Sequence, residues 1–230
     1  MRVAQLWRYP VKSLAGERLP AVSVDGRGLV RDRLWALVDP DGRIASGKTT
    51  RRFRNVPGLL RHRSHLAADD RPEVTLAGGR SAQAGSPQLD ALLAEIAPAG
   101  WSLQREGSTP HFDAGAVHVV TTATLATLGS GDGEPLAVER LRPNLVLDTN
   151  EGAAFPEDAW LGRTLRVGAV ELRIVMRTER CVMVGHAQAT LPSRPTLLKR
   201  IGRVNGACAG VYADVILPGT IAEGDAAQLL

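Results

Sequence analysis

Short runs that alternate apolar and polar residues, the period of a half-buried strand, dominate this chain, and helical spacing occurs in only a few places. Val3 to Tyr9 reads as a strand stopped by Pro10, with Lys12-Ser13 in the loop beyond. Leu19 to Val24 alternates loosely before the turn Asp25-Gly26-Arg27-Gly28. Leu34 to Val38, the turn Asp39-Pro40-Asp41-Gly42 and the return Ile44 to Ser46 predict a β-hairpin. Val56 to Leu60 and Glu73 to Leu76 predict two further strands, the second before the Gly78-Gly79 turn. Ser86 to Ile96 combines a serine cap, proline in the first turn and helical apolar spacing, so a helix is expected there.

After Pro98-Ala99-Gly100 the pattern restarts, which divides the chain into units of residues 1–97 and 98–230. The second unit begins with a strand, Ala116 to Val120, and a capped helix, Thr121 to Leu128. Val138 to Arg142 reads equally as a short helix or an extended piece, Asn144 to Leu147 as a strand and Phe155 to Trp160 as a loop. Strands follow at Thr164 to Val167 and Val170 to Met176, a helix at Thr196 to Ile201, and a strand at Gly210 to Ile216. Pro218-Gly219-Thr220 reads as a turn before the last strand. The class expected is α+β, β-dominated and barrel-like, with short helices.

Composition narrows the function classes. A chain of 230 residues with 44% hydrophobic residues can bury a substantial core. Its two cysteines, Cys181 and Cys208, exclude a disulfide framework and any four-cysteine zinc or iron–sulfur site. The start of the chain has no signal-peptide h-region and no run reaches bilayer-spanning length, so a cytoplasmic protein without a membrane partner is expected. Only three of the 28 basic residues are lysine (12, 48 and 199). Arginine forks match phosphate and carboxylate oxygens. With 4% aromatic residues and no recognition-helix pattern, an internal anionic ligand explains the scattered arginines at least as well as nucleic acid, and no nucleic-acid partner is expected. The densest basic run, Lys48-Thr49-Thr50-Arg51-Arg52-Phe53-Arg54, reads as a solvated loop.

Among single stretches, Glu179-Arg180-Cys181-Val182-Met183 carries the most chemistry. A cysteine following a strand end and flanked by arginine suits a soft-metal ligand or a nucleophile, because a nearby cation stabilises a thiolate. The same cysteine could also be a small buried hydrophobe. No GxGxxG, P-loop, HExxH or GxSxG signature is present, and the five histidines lack zinc-ligand spacing. His118 alternates into a strand as a core residue would, and His186 is a candidate proton donor facing the cavity of Cys181.

Six elements occur in order: Tyr9-Pro10-Val11-Lys12-Ser13, Arg31-Asp32-Arg33-Leu34-Trp35, Phe112-Asp113, Arg142-Pro143-Asn144, Arg180-Cys181 and Gly210-Val211-Tyr212. The chain then closes with Pro218-Gly219-Thr220-Ile221-Ala222-Glu223-Gly224-Asp225. This ordered set resembles the MOSC superfamily, preceded by its N-terminal β-barrel domain, and within it the amidoxime-reducing component proteins and their bacterial counterparts. The resemblance implies a small β-barrel-like domain (1–97) packed on a MOSC β-barrel domain (98–230).

It also implies a molybdenum cofactor (molybdenum with molybdopterin) and no iron–sulfur cluster or haem. Cys181 matches the cysteine that coordinates molybdenum, so it is the implied metal ligand and catalytic residue. Lys12, Ser13 and Arg33 match positions at the cofactor's phosphate end, and Asp113, Arg142 and Asn144 match pterin-facing positions. Arg180 and Tyr212 match residues lining the cofactor beside the metal, and Thr121 is a further candidate that helix capping alone also explains. The implied activity is reduction of a small N-oxygenated substrate, with electrons from a separate flavoprotein or ferredoxin-like protein. The alternative is a sulfur (persulfide) or molybdenum-cofactor carrier using the same cysteine. Where relatives often carry threonines after the Arg-Cys pair, this chain has Val184-Gly185-His186, which bears on the substrate side.

Overall fold

The computed structural model describes residues 1–149 and 153–230. Among these, the N-terminal half forms β1 (Arg2–Arg8), β2 (Glu17–Leu19), β3 (Ala21–Asp25), β4 (Gly28–Leu29), β5 (Trp35–Val38), β6 (Ile44–Ser46) and β7 (Phe53–Asn55). It continues with β8 (Arg63–Leu66), β9 (Pro72–Thr75), β10 (Ser81–Gln83), α1 (Pro87–Leu93) and β11 (Ser102–Arg105). Then come β12 (Val117–Thr121), α2 (Thr122–Gly129), β13 (Leu145–Asp148), β14 (Thr164–Val167) and β15 (Val170–Glu179). The chain closes with α3 (Leu197–Asn205), β16 (Cys208–Leu217), β17 (Gly219–Ala222) and β18 (Ala227–Leu229). The β-dominated α+β expectation therefore holds.

The largest sheet has eight strands in the order β18-β14-β15-β16-β12-β13-β1-β2. β12 is buried along its whole length, as a central strand should be, and it runs parallel to β13 after the α2 crossover. Its inner face joins Leu6, Val119, Leu145, Leu172 and Ile174 to Val22 and Val24 of β3, forming one apolar core. The opposite face is covered by α2 and α3 through Leu125, Leu128, Leu197 and Ile201. A second core, built from Leu14, Leu37, Leu59, Val74 and Leu89 among others, fills the unit made by β5 to β11 and α1.

Strand pairing crosses the division expected at 97/98. β1 and β2 lie in the eight-stranded sheet, and β3 pairs with β17 across nearly the whole length of the chain, Val22 opposite Ile221. The predicted hairpin is β5–β6, closed by Asp39, whose Oδ1 accepts the N–H of Asp41 at 3.0 Å and of Arg43 at 2.7 Å.

Other expectations are corrected. The strand predicted at Val56 to Leu60 is a 3-10 turn, Leu59–Arg61. Pro57 lacks an N–H and Gly58 adopts φ 78°, which turns the backbone out of an extended path. The loop predicted at Phe155 to Trp160 contains a 3-10 helix, Pro156–Trp160. The turn predicted at Pro218 to Thr220 is the start of β17, drawn into extended form by a partner some two hundred residues away.

Candidate functional site

β15 ends at Glu179, and Arg180 is tied by its N–H to the carbonyl of Ala207 at 2.8 Å. Cys181 is extended (φ −120°, ψ 180°) and caps a 3-10 turn, Val182–Gly185, that leads the chain away from the sheet. The half-buried cysteine thereby sits at a cavity of about 410 Å³ where both halves of the chain meet. Lys12, Ser13, Arg33, Lys48 and Phe53 come from the segments up to β7; Asp113, His118, Arg140, Arg142, Arg177 and Tyr212 come from the chain beyond β11.

Three of these wall residues carry left-handed backbone without being glycine: Ser13 (φ 65°), Arg33 (φ 49°) and Arg142 (φ 54°). Such conformations cost about 1 kcal/mol or more each, and they persist where the surroundings over-determine them. Here the restraints are visible. The Arg33 guanidinium pairs with Asp32, donates to the carbonyl of Arg142 at 3.0 Å and lies 4.7 Å from the ring centre of Tyr9. Arg142 covers the same ring at 4.3 Å, so two cations flank one buried tyrosine.

Burial dominates the electrostatics. It pulls the Lys12 ammonium down to about 8, although Asp113, 2.6 Å away, favours the charged form. It also opposes ionisation of Asp113, but Lys12, Lys48 and Arg33 outweigh it and hold that carboxyl well below the usual carboxylate range. Burial lowers Arg142 to about 10. His118 is pushed far below its ordinary value by burial and then by Arg180, so its ring is neutral. Three buried polar atoms of the wall, Ser13 Oγ, Arg177 Nε and Arg180 Nε, have no hydrogen-bond partner among the described residues.

Comparison with known proteins identifies this architecture. The chain matches the MOSC domain family over residues 106–228 and the MOSC N-terminal beta barrel domain family over residues 1–110. The chain belongs to the MOSC family.

Its MOSC relatives include mitochondrial amidoxime reducing component 2 of Bos taurus, 25% identical over 225 residues, covering 79% of this chain and 65% of that protein. The same component of Homo sapiens is 22% identical over 222 residues, with the same coverage. Molybdenum cofactor sulfurase of Drosophila grimshawi is 26% identical over 239 residues, covering 88% of this chain but 30% of that protein. This MOSC chain thus spans less than two thirds of the length of each. The crystal structure of the YuaD protein from Bacillus subtilis shares the fold, with a TM-score of 0.55 at 14% identity over 99% of this chain and 94% of that one.

Of the ten residues that the MOSC resemblance singled out, eight line the cavity: Cys181, Lys12, Ser13, Arg33, Asp113, Arg142, Arg180 and Tyr212. Asn144 lies just behind it, buried, with its side-chain oxygen accepting from the N–H of His118 at 3.0 Å and from Arg33 at 3.3 Å. Thr121 lies elsewhere. Its hydroxyl accepts the N–H of Thr124 at 3.1 Å, capping α2, and donates to the buried carboxyl of Glu157 at 2.7 Å.

His186 also stands outside the cavity of Cys181. Its Nε2 is 2.9 Å from the carbonyl of Gly47, and it lines a neighbouring hollow of about 340 Å³ with Asn55, Leu60 and Ser193.

Residue-by-residue reading overlooked Lys48, His118 and Arg140. Lys48 is the one basic residue of its run within 3.4 Å of Asp113. No local pattern marked it, because its partner lies 65 residues along the chain. For Arg140 no sequence signal exists, since it is 2% exposed and spends its guanidinium on the carbonyls of Val184, His186 and Pro192. It thereby fixes the segment that follows Cys181.

Proposed function

We propose that this MOSC protein binds the molybdenum cofactor in the cavity, with the Cys181 thiolate as the protein's ligand to the metal, and acts as an oxidoreductase on N-oxygenated compounds. The observation that carries this reading is a shortage of negative charge. Among the described residues, seven cations line the cavity: Lys12, Arg33, Lys48, Arg140, Arg142, Arg177 and Arg180. Against them stand two carboxylates in the wall, Asp113 and Glu179, and two ion-paired to its cations, Asp32 and Asp158. These cations outnumber the four carboxylates by three, and burial disfavours the charged forms of Lys12, Arg142 and Arg180. An anionic ligand with a phosphate would balance that excess.

The donor set fits such a group. Lys12, Arg33 and the unpartnered Ser13 hydroxyl would hold the phosphate end as charge-assisted donors. Asp113 and Arg142 offer an acceptor and a donor to a pterin's polar edge, while Tyr212 and Arg180 flank the position of Cys181. Asn144 contributes through Arg33, whereas Thr121 serves its helix and Glu157. No group of three or more His, Cys, Asp or Glu side chains among the described residues could hold a metal, so on this reading the cofactor would bring the ligands other than Cys181. When bound, the cofactor would supply a two-electron metal couple with soft sulfur ligation.

The protein's own part is binding and orientation. Tyr9, clamped by Arg33 and Arg142, keeps two cations at a fixed spacing. Arg140 keeps the segment after Cys181 in place, so the thiolate remains at the cavity edge where a small substrate can approach. Electrons would come from a separate flavoprotein or ferredoxin-like donor. Among the described residues no helix is long and apolar enough to cross a membrane.

The test is turnover. Protein produced in a host that makes the cofactor, supplied with a reduced dye as electron source, is expected to convert N-hydroxybenzamidine to benzamidine, and Cys181→Ala to lose this conversion. Cofactor-loaded protein that leaves the substrate untouched would overturn the reductase reading. Sulfane sulfur found on Cys181 in that case would favour the carrier alternative.

A further inference from the structure

Buried at 3% exposure in the cavity wall, His118 uses its ring in three directions. Nδ1 lies 3.4 Å from the carbonyl of Arg142, while Nε2 lies 3.4 Å from the carbonyl of Ala209 and 3.5 Å from Nη1 of Arg180. The ring is seated from both sides. Tyr212 leans on it with centroids 5.4 Å apart, and Gly210 faces Nε2 so closely that a Cβ there would lie 2.5 Å from it.

Arg180 completes the picture. Its Nη2 donates to the carbonyl of Leu141 at 2.7 Å and its Nη1 meets His118, which leaves Nε–H without a partner among the described residues. The proton on the His118 ring decides whether this arrangement coheres. A proton on Nε2 would satisfy Ala209 but direct an N–H against the guanidinium, and it would leave the Nδ1 lone pair facing the Arg142 carbonyl. A proton on Nδ1 satisfies Arg142 and gives the guanidinium an acceptor; it leaves the Nε2 lone pair 3.4 Å from the Ala209 carbonyl, and the charged donor Arg180 outweighs that neutral contact.

We infer that His118, as the Nδ1–H tautomer, is a positioning residue: it bridges the backbone of Arg142 to the Arg180 guanidinium and so holds the unpartnered Nε–H of Arg180 in the cavity wall beside Cys181. The two arginines are thereby fixed relative to each other by one ring. The inference about the ring stands apart from the cofactor reading; only its consequence for ligand binding rests on that reading.

Two-bond proton–nitrogen spectra of the full chain labelled with 15N distinguish both neutral tautomers and the imidazolium, with His118→Gln assigning the signal. The expected result is the Nδ1–H tautomer. A signal from the Nε2–H tautomer or the imidazolium would overturn the proposal, whatever the protein binds. Ligand binding is then read with 6-carboxypterin as probe. His118→Gln, whose amide oxygen can take the place of Nε2, is expected to stay within about threefold of wild type. His118→Leu, shown to be folded by its unfolding transition, is expected to weaken binding about tenfold or more, the range for a lost hydrogen bond to a charged group. Equal binding by the Gln and Leu variants would contradict the positioning role.

Discussion

Lys12 and Asp113, 101 residues apart, meet at 2.6 Å, and this ion pair fastens the loop after β1 to the loop before β12. Because Lys12 and Lys48 both face it, the Asp113 carboxyl is easier to ionise in the folded chain than in the unfolded one, whose ordinary value is 3.8. A depressed carboxylate contributes stability that is present above the unfolded value and is lost as pH falls below it. Wild type is therefore expected to lose thermal stability progressively below about pH 4, and Asp113→Asn to lose this component of the slope. Parallel melting curves of the two proteins across that range would contradict the ion pair's role.

Gly210 has a φ of 84°, and a Cβ there would meet His118 Nε2 at 2.5 Å and the carbonyl of Val119 at 2.7 Å. The Val119 carbonyl is backbone in a central strand, so turning a side chain does not relieve that clash. Gly210→Ala is expected to destabilise the fold by about 3 kcal/mol or more, measured by denaturant unfolding. A loss under about 1 kcal/mol would show that β12 and β16 yield more than this packing implies.

Thr121 and Asn144 are both buried polar residues, yet they serve different parts of the structure. Thr121→Ala removes a helix cap and is expected to cost about 1–2 kcal/mol of stability while leaving cofactor content unchanged. Asn144→Leu removes the acceptor for the His118 N–H and for Arg33, so it is expected to lower both stability, by about 1–3 kcal/mol, and cofactor content. Unfolding curves and pterin content of the two variants separate the cases; equal pterin loss in both would contradict the assignment of Thr121 to the helix.

These contrasts show what the sequence made legible. Local signals were read correctly at the Asp39 to Gly42 turn, the Thr121 cap and the alternation of Glu73 to Leu76, and misread at Val56 to Leu60, where Pro57 and Gly58 turn the backbone. The cavity was legible through ordered short motifs that place Lys12, Arg33, Arg142 and Cys181 together, although no periodicity predicts that convergence. What escaped depends on distant partners. β17 is extended because β3 needs a neighbour, and Lys48 belongs to the cavity because Asp113 draws it there. His118 looked like a core residue because it is one; its added role lies in the guanidinium that the fold brings to it.

The central claim is that Cys181 anchors a molybdenum cofactor among the cations of this cavity. Metal and pterin analysis of purified wild type and Cys181→Ala, both made in a host able to synthesise the cofactor, tests it most directly. The account predicts near-stoichiometric molybdenum and pterin in wild type and loss of the molybdenum in Cys181→Ala. A folded wild type with neither molybdenum nor pterin, or a Cys181→Ala variant that keeps its molybdenum, would contradict it.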